Sequence, residues 1–508
     1  MRNKIIGLMF LICAVAGAQQ PGKVTSKFFP EPDMQMNTPL FQKSRGFTGY
    51  KEMMKFIEDL RLNHPDLIRI EKAGETQKGR DIPLVTIGRK ENAEQKINIL
   101  LMGRVHGNEP IGTEGLLYFM QQILENPEKH DYLDKINFYI MPMVNIDGGE
   151  RNNRNTANGI DLNRDQSKLD SPEAVAMHAV ANKILPHLFV DFHEYQPMKS
   201  DLFYISDGKV LSNPTDVMFL YSSNPNVAAP IRNAVDQLIL PGIGKRMDQN
   251  GLTHQTYYTS SSSNGNIRFT QGGTSPRSSA NSMALKNSIS VLVEVRGVGL
   301  ERISVKRRLN TVFVFADELA KIACDQAARI KDVCAQAEAE RSDIVVEYTR
   351  SDNPAQEVQF LDMVKNRLIT LPVHMLFSTE SKPTLTRKRP KAYYILPTQK
   401  KAFEKLTLLG VDIKPTDQEV ILDLECYLVI SAIESSENIS GMYPLQVKTE
   451  VSDKRVTLPA GTLKIEMNQR NANLIGSLLE PESSNGFVNY RVIDGKLHQE
   501  LPIYREKN

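Results

Sequence analysis

Two stretches of this chain carry groups able to share one divalent metal ion. His106-Gly107-Asn108-Glu109 offers an imidazole and a carboxylate with two residues between them. His193 lies much further on, directly after the apolar run 188–192. Two histidines and one glutamate leave a tetrahedral zinc with one free corner for water. That is the ligand count of a hydrolytic zinc site rather than a structural one. Neither stretch means much alone, because a His-x-x-Glu pair is usually surface polarity and a strand histidine usually packs in a core.

The residues between and beyond them supply the conjunction. Residues 151–165 read RNNRNTANGIDLNRD, a loop crowded with guanidinium and amide groups. Arginine forks bind carboxylates bidentately. Beside a hydrolytic zinc such a loop suits two jobs, polarising a carbonyl and gripping a substrate carboxylate. Further on, Glu294 interrupts the apolar segment 291–295. A buried unpaired carboxylate is costly, so a salt bridge to Arg296, two positions along on the same strand face, competes with a role as general base tuned by burial and a nearby metal.

These groups must be positioned by regular elements. Short apolar segments at 97–102, 136–144, 188–192 and 289–295 read as strands, and 47–62, 112–125 and 172–185 read as helices. Residues 74–81 read as a polar hairpin connection. Apolar strands alternating with helices argue for a mostly parallel sheet covered on both faces. Both metal-ligand stretches begin where an apolar strand ends, which is where sites form in open α/β sheets. The Ser-, Gly- and Asn-rich segment 260–281 reads as a long loop. A single helix is expected over 313–341, with its end at residues 342–343 marking a domain boundary. Beyond it, segments 343–348, 420–430 and 457–466 read as strands and 400–409 as a helix. The basic run 387–391 reads as a solvated strand edge.

With 508 residues, two or three domains are expected. Hydrophobic residues make up 41% and charged residues 24%, which excludes a disordered or fibrous chain. A formal charge of +2 gives no reason to expect nucleic acid or an anionic membrane as partner. Residues 1–18 have the basic start, apolar centre and small-residue end of a secretory signal. Ile12 before Cys13 argues against lipid attachment there. No later stretch is long and apolar enough to span a membrane, so an exported protein, periplasmic or extracellular, is expected. Cleavage after Ala18 leaves Cys324, Cys334 and Cys426. In one helix the first two would stand about 15 Å apart, beyond disulfide reach, and buried free thiols are expected.

In order and spacing these motifs resemble the zinc metallocarboxypeptidases of the carboxypeptidase A type, over residues 45–320. The likeness rests on 74–82, His106 and Glu109, 142–148, the GIDLNR stretch at 159–164, His193, and 294–296. Residues 458–461 and 478–483 resemble the tail of bacterial members that carry an added C-terminal domain. The resemblance implies that His106, Glu109 and His193 hold one zinc ion and that Glu294 is the general base. It implies that Arg154 stabilises the oxyanion and that Asn163 and Arg164 grip the substrate's terminal carboxylate. The substrate-capping tyrosine falls at Tyr257 or Tyr258, and Tyr258 is taken. Ile146 stands where the family usually has proline.

The expectation is therefore an α/β protein with a mixed, mostly parallel twisted sheet flanked by helices, plus a smaller β-rich C-terminal domain. Its parts are a signal peptide (1–18), an N-terminal extension (19–44), a catalytic domain (45–342) and a C-terminal domain of unknown role (343–508). Its activity would be removal of C-terminal amino acids from peptides with a free terminal carboxylate. A peptidoglycan peptidase or N-acyl amino acid deacylase would use the same zinc site. A catalytically dead peptide-binding module is the reading of another class.

Overall fold

The computed structural model describes residues 20–198, 202, 210–263, 266–438 and 442–508. The expected signal peptide lies outside the described residues.

A sheet of eight strands forms the centre. From edge to edge it runs Ile68–Glu75, Asp81–Ile87, Ile136–Met141, Ile97–Gly103, Leu188–Tyr195, Ile289–Arg296, Val217–Tyr221 and His254–Thr256. The inner strands 136–141, 97–103, 188–195 and 289–296 are parallel neighbours, while 68–75, 81–87 and 217–221 pair antiparallel. The sheet is thus mixed, with a parallel centre. Strand Leu188–Tyr195 is buried along its whole length, as a central strand covered on both faces must be.

Strand alternation sorts the side chains between two layers. Phe192 faces helix Val305–Asp325, its ring 5.7 Å from that of Phe315. Helix Ile111–Glu125 lies in the same layer, because a Cβ on Gly112 would meet the Phe192 side chain at 3.2 Å. Asp191 and His193 point the opposite way. There the short helix Ser279–Leu285 covers the sheet, with Ser290 Oγ donating to Ala280 O at 2.8 Å. The chemistry-bearing groups therefore sit on one face, at the carboxyl ends of the parallel strands.

Two further sheets complete the molecule. One has five strands, in the order Leu211–Ser212, Ile344–Asp362, Arg367–Arg387, Asn266–Gln271, Thr259–Ser263. The other has six antiparallel strands, Lys414–Pro415, Leu463–Glu466, Ala392–Ile395, Glu500–Glu506, Val420–Glu434 and Leu445–Leu458. The C-terminal region is therefore β-rich. One apolar core runs from Ile99 and Phe315 through Tyr393 to Ile475 and Phe487. The five-stranded sheet, too, takes strands from both sides of residue 342.

Several local expectations are corrected. Segment 260–281 is not one long loop. It holds the hairpin Thr259–Ser263 and Asn266–Gln271, then helix Ser279–Leu285. A distant partner decides this, since Phe269 pairs with Met375 of the long hairpin and packs into an apolar cluster with Phe360 and Val373. The helix expected over 313–341 is two helices, Val305–Asp325 and Ala327–Ala339, broken where Gln326 leaves helical backbone angles at φ −119°, ψ 22°. Cys324 and Cys334 fall on either side of that break, and all three described cysteines are free. The strand expected over 457–466 is two, parted by a turn in which Gly461 takes φ +81°. The basic run 387–391 is not uniformly a solvated edge. Arg387 is half-buried and paired with Glu480 at 2.8 Å and Glu482 at 2.6 Å, and buried Arg389 donates to Asn473 Oδ1 at 2.7 Å. Lys388 and Lys391 do face solvent.

Candidate metal centre and substrate cavity

His106 stands just past the end of strand Ile97–Gly103, on a loop fixed from several sides. Arg104 adopts a left-handed φ of 54°. Its buried guanidinium donates to Gly107 O at 3.0 Å, Thr48 O at 3.1 Å and Gly149 O at 3.1 Å. Gly107 is required by close approach, since a Cβ there would stand 2.1 Å from the Gly148 carbonyl carbon. The Gly107 N–H donates to Arg154 O at 3.2 Å, and Asn145 Nδ2 donates to the same oxygen at 3.1 Å. Asn145 also caps helix Ile146–Gly149, accepting from Gly148 N at 2.9 Å. Ile146 is buried in that turn and takes no part in the site. One set of backbone contacts thus locks the ligand loop to the loop that carries Arg154.

Three donor groups converge. His106 Nδ1 is 2.8 Å from Glu109 Oε1, His193 Nδ1 is 2.9 Å from Glu109 Oε2, and the two Nδ1 atoms are 3.1 Å apart. All three residues are buried. The outer ring nitrogens face carboxylates: His193 Nε2 is 2.8 Å from Asp191 Oδ2 and His106 Nε2 is 3.1 Å from Asp161 Oδ1. Each Nε2–H then donates outward, which leaves an Nδ1 lone pair directed inward. Two inward lone pairs this close repel unless a cation, a proton or a metal ion, lies between them. Ligands bound about 2.0–2.1 Å from a tetrahedral zinc stand about 3.3 Å from each other. The donor set and its spacing therefore fit one zinc ion.

The electrostatics agree. Burial alone would raise the Glu109 carboxyl, but the two adjacent imidazoles outweigh it and hold the group far below the usual carboxylate range. Burial opposes a charged His193, yet Asp191 and Glu109 together raise it well above an ordinary histidine. Asp161 is likewise held down, against burial, by His106 and then by Arg154 and Arg164.

The other expected residues gather around this point. Arg154 reaches Glu109 Oε1 at 3.1 Å and Asp161 Oδ2 at 3.0 Å. Asn163 Nδ2 lies 3.2 Å from His193 Nε2, while its Oδ1 accepts from Ser279 N at 2.8 Å. Arg164 lines the same cavity, about 720 Å³ in volume, as do His106, Glu109 and Glu294. Glu294 pairs in register with His193 on the neighbouring parallel strand. Burial is the main cause that lifts its carboxyl to about 7, with Glu109 adding to it while His193, His106 and Arg154 pull the other way. The competing salt bridge to Arg296 is not formed. Arg296 is buried elsewhere, its guanidinium 4.0 Å from the Phe29 ring and bonded to Gln20, Ser212 and Asn213.

The two tyrosines have different surroundings. Tyr258 lines the cavity, but its hydroxyl accepts from Asn213 Nδ2 at 3.1 Å and its ring packs edge-on against Phe269, 5.5 Å away. Tyr257 is the one in the field of the site. Burial raises its phenol, Glu294 adds to that, and Arg164 and Arg154 oppose it. Both tyrosines line the cavity, from the connection between strands His254–Thr256 and Thr259–Ser263.

Sequence reasoning left Asp161, Asp191 and Arg104 without roles. Asp191 was within reach, since residues two apart on a strand share a face and Asp191 precedes His193 by two. Glu194 was also missed. It binds Arg308 at 2.6 Å and accepts from Ile111 N, tying the start of helix Ile111–Glu125 to the His193 strand.

A buried His-Glu-His cluster on the carboxyl ends of a parallel sheet, backed by two outer carboxylates and faced by an arginine, is a metallohydrolase site. Residues 53–300 match the zinc carboxypeptidase family. The match covers just under half of the chain and, with relatives named carboxypeptidases, marks it as a peptide-bond hydrolase. It is similar to Carboxypeptidase 2 of Trichophyton rubrum, 26% identical over 518 residues that cover 96% of this chain and 94% of the relative. It is 30% identical to Carboxypeptidase SOL1 of Arabidopsis thaliana over 133 residues, covering 25% of this chain and 27% of the relative. Among solved structures, a metallo-carboxypeptidase from Burkholderia cenocepacia aligns with 16% identity and TM-score 0.43, covering 56% of this chain and 70% of the other.

Proposed function

We propose that this protein is an exported zinc exopeptidase that releases C-terminal amino acids from peptides. The observation that carries this reading is the placement of Arg164 and Asn163 beside the His106-Glu109-His193 cluster in one cavity. A carboxylate grip next to a hydrolytic centre selects the last peptide bond of a chain. A zinc ion held by His106, Glu109 and His193 would supply Lewis acidity to the attacking water and to the scissile carbonyl.

The chain's own groups do the rest. Glu294 takes a proton from the attacking water and passes it to the leaving amine. Its carboxyl, lifted to about 7 by burial, matches what a base must do near neutral pH. Arg154 presents a fixed cation where negative charge grows on the carbonyl oxygen, an arrangement worth about 3 kcal/mol per donor. Asp161 holds Arg154 and His106 together, so it orients the metal ligand and the oxyanion group at once. Asn163 and Arg164 bind the substrate's terminal carboxylate. Tyr257 closes over the substrate in place of Tyr258, because Tyr258 is turned toward Phe269 and Asn213.

The test is a pair of peptides identical but for the C-terminus, one a free acid and one an amide. Loss of single residues from the acid alone is the expected result. Internal cleavage, or equal cleavage of the amide, overturns the reading. Export draws support from Gln20, which is buried against Arg296 so close after the expected cleavage site. Mature protein beginning near residue 19 outside the cytoplasm is expected; an uncleaved cytoplasmic chain overturns it.

A further inference from the structure

Part of the cavity wall is built by residues outside the matched segment 53–300. Tyr348 and Arg350 come from the long hairpin strand Ile344–Asp362, and Asn485 from the C-terminal region; all three line the cavity. They grip the loop 272–278. Tyr348 Oη donates to Thr274 Oγ1 at 2.8 Å, Arg350 Nη2 donates to the same oxygen at 3.3 Å, and Ser275 Oγ donates to Asn485 Oδ1. Two residues beyond this loop's Arg277, Ser279 buttresses Asn163. The loop therefore stands next to where the substrate's last residue must lie.

The charges on this wall do not cancel. Four arginines line the cavity, Arg154, Arg164, Arg277 and Arg350, against three glutamates. Glu109 belongs to the metal cluster, Glu194 is taken by Arg308, and Glu294 stands beside His193. Arg154 is held by Glu109 and Asp161. Among the described residues, no carboxylate is ion-paired with Arg277 or Arg350. Arg164 feels Arg277 as a like charge. Cations gathered in a partly enclosed space draw an anion from the ligand, and a terminal carboxylate accounts only for Arg164.

We propose that Arg277 and Arg350 form a side-chain pocket selective for a C-terminal glutamate or aspartate. The inference rests on the exopeptidase reading and adds the substrate class. In it, the chain beyond residue 343 sets specificity: Arg350 supplies one of the two guanidinium groups, and Tyr348, Arg350 and Asn485 hold the loop that carries the other.

The test compares kcat/KM on one peptide series ending in Glu, Leu or Lys. The zinc-loaded full chain should prefer Glu over Leu by about tenfold or more, and Lys should be worst. Arg350→Gln should lower the Glu-to-Leu ratio by about tenfold, and Arg350→Lys should restore part of it. Arg277→Gln, measured the same way, should act in the same direction. A wild-type ratio near one, a preference for Lys, or equal losses on Glu and Leu peptides in both glutamine variants overturns the pocket while leaving the exopeptidase reading intact. Hydrolysis of no member of the series overturns both.

Discussion

Glu294 stands directly beside His193, in register across two parallel strands and on the same face of the sheet. The proposed general base and a proposed metal ligand are thereby held one strand spacing apart by backbone hydrogen bonds rather than by a loop. Glu294→Gln keeps the size and removes the basicity. Zinc content per chain should be unchanged, while kcat falls about 10²- to 10⁴-fold, the range such a base supplies. Metal analysis and turnover of the same preparation check this; normal turnover means that another group takes the proton.

Asp161 touches both His106 and Arg154. Asp161→Asn should weaken zinc binding by about 10- to 100-fold, as loss of an outer-shell carboxylate does. Competition with a chelator measures it. An unchanged affinity would mean that His106 is oriented by its backbone alone.

Zinc uptake should release protons. In the metal-free protein His193 is raised well above an ordinary histidine by Asp191 and Glu109, against burial. A bound metal and a proton therefore compete for its Nδ1. Zinc affinity should rise with pH across the neutral range, with on the order of one proton released per ion at pH 7. Calorimetry in buffers of different ionisation enthalpy reads the number directly.

Gly107→Ala should damage the site through its scaffold. The added methyl would stand 2.1 Å from the Gly148 carbonyl carbon and 2.4 Å from Asn153 O, both backbone atoms that cannot swing away. Overpacking of this kind costs about 1–3 kcal/mol. Thermal unfolding should shift down and zinc affinity with it, because His106 and the Arg154 loop separate together. A variant with wild-type stability and metal binding would refute the close packing.

What could be read from the chain was local. Strand ends, the His106-x-x-Glu109 spacing and the position of His193 follow from period and composition, and the structure brings those three residues together. Asp191 obeys the same strand period as His193. Other features depended on partners far away in sequence. The serine-rich stretch becomes a hairpin only because Phe269 meets Met375. Arg387 leaves the solvated edge only because Glu480 and Glu482 reach it.

The long hairpin also imposes an order of events on synthesis. The last of the hydrolytic groups, Glu294, is made well before Asn485 can clasp the loop at Ser275. At about 5–20 residues per second that gap lasts roughly 10–40 s. During it a nascent chain would carry every proposed hydrolytic residue but not yet the whole of the proposed selective wall. Biosynthesis thus separates the acquisition of cleaving power from the acquisition of discrimination, and the later half of the polypeptide acts as the gatekeeper of the earlier.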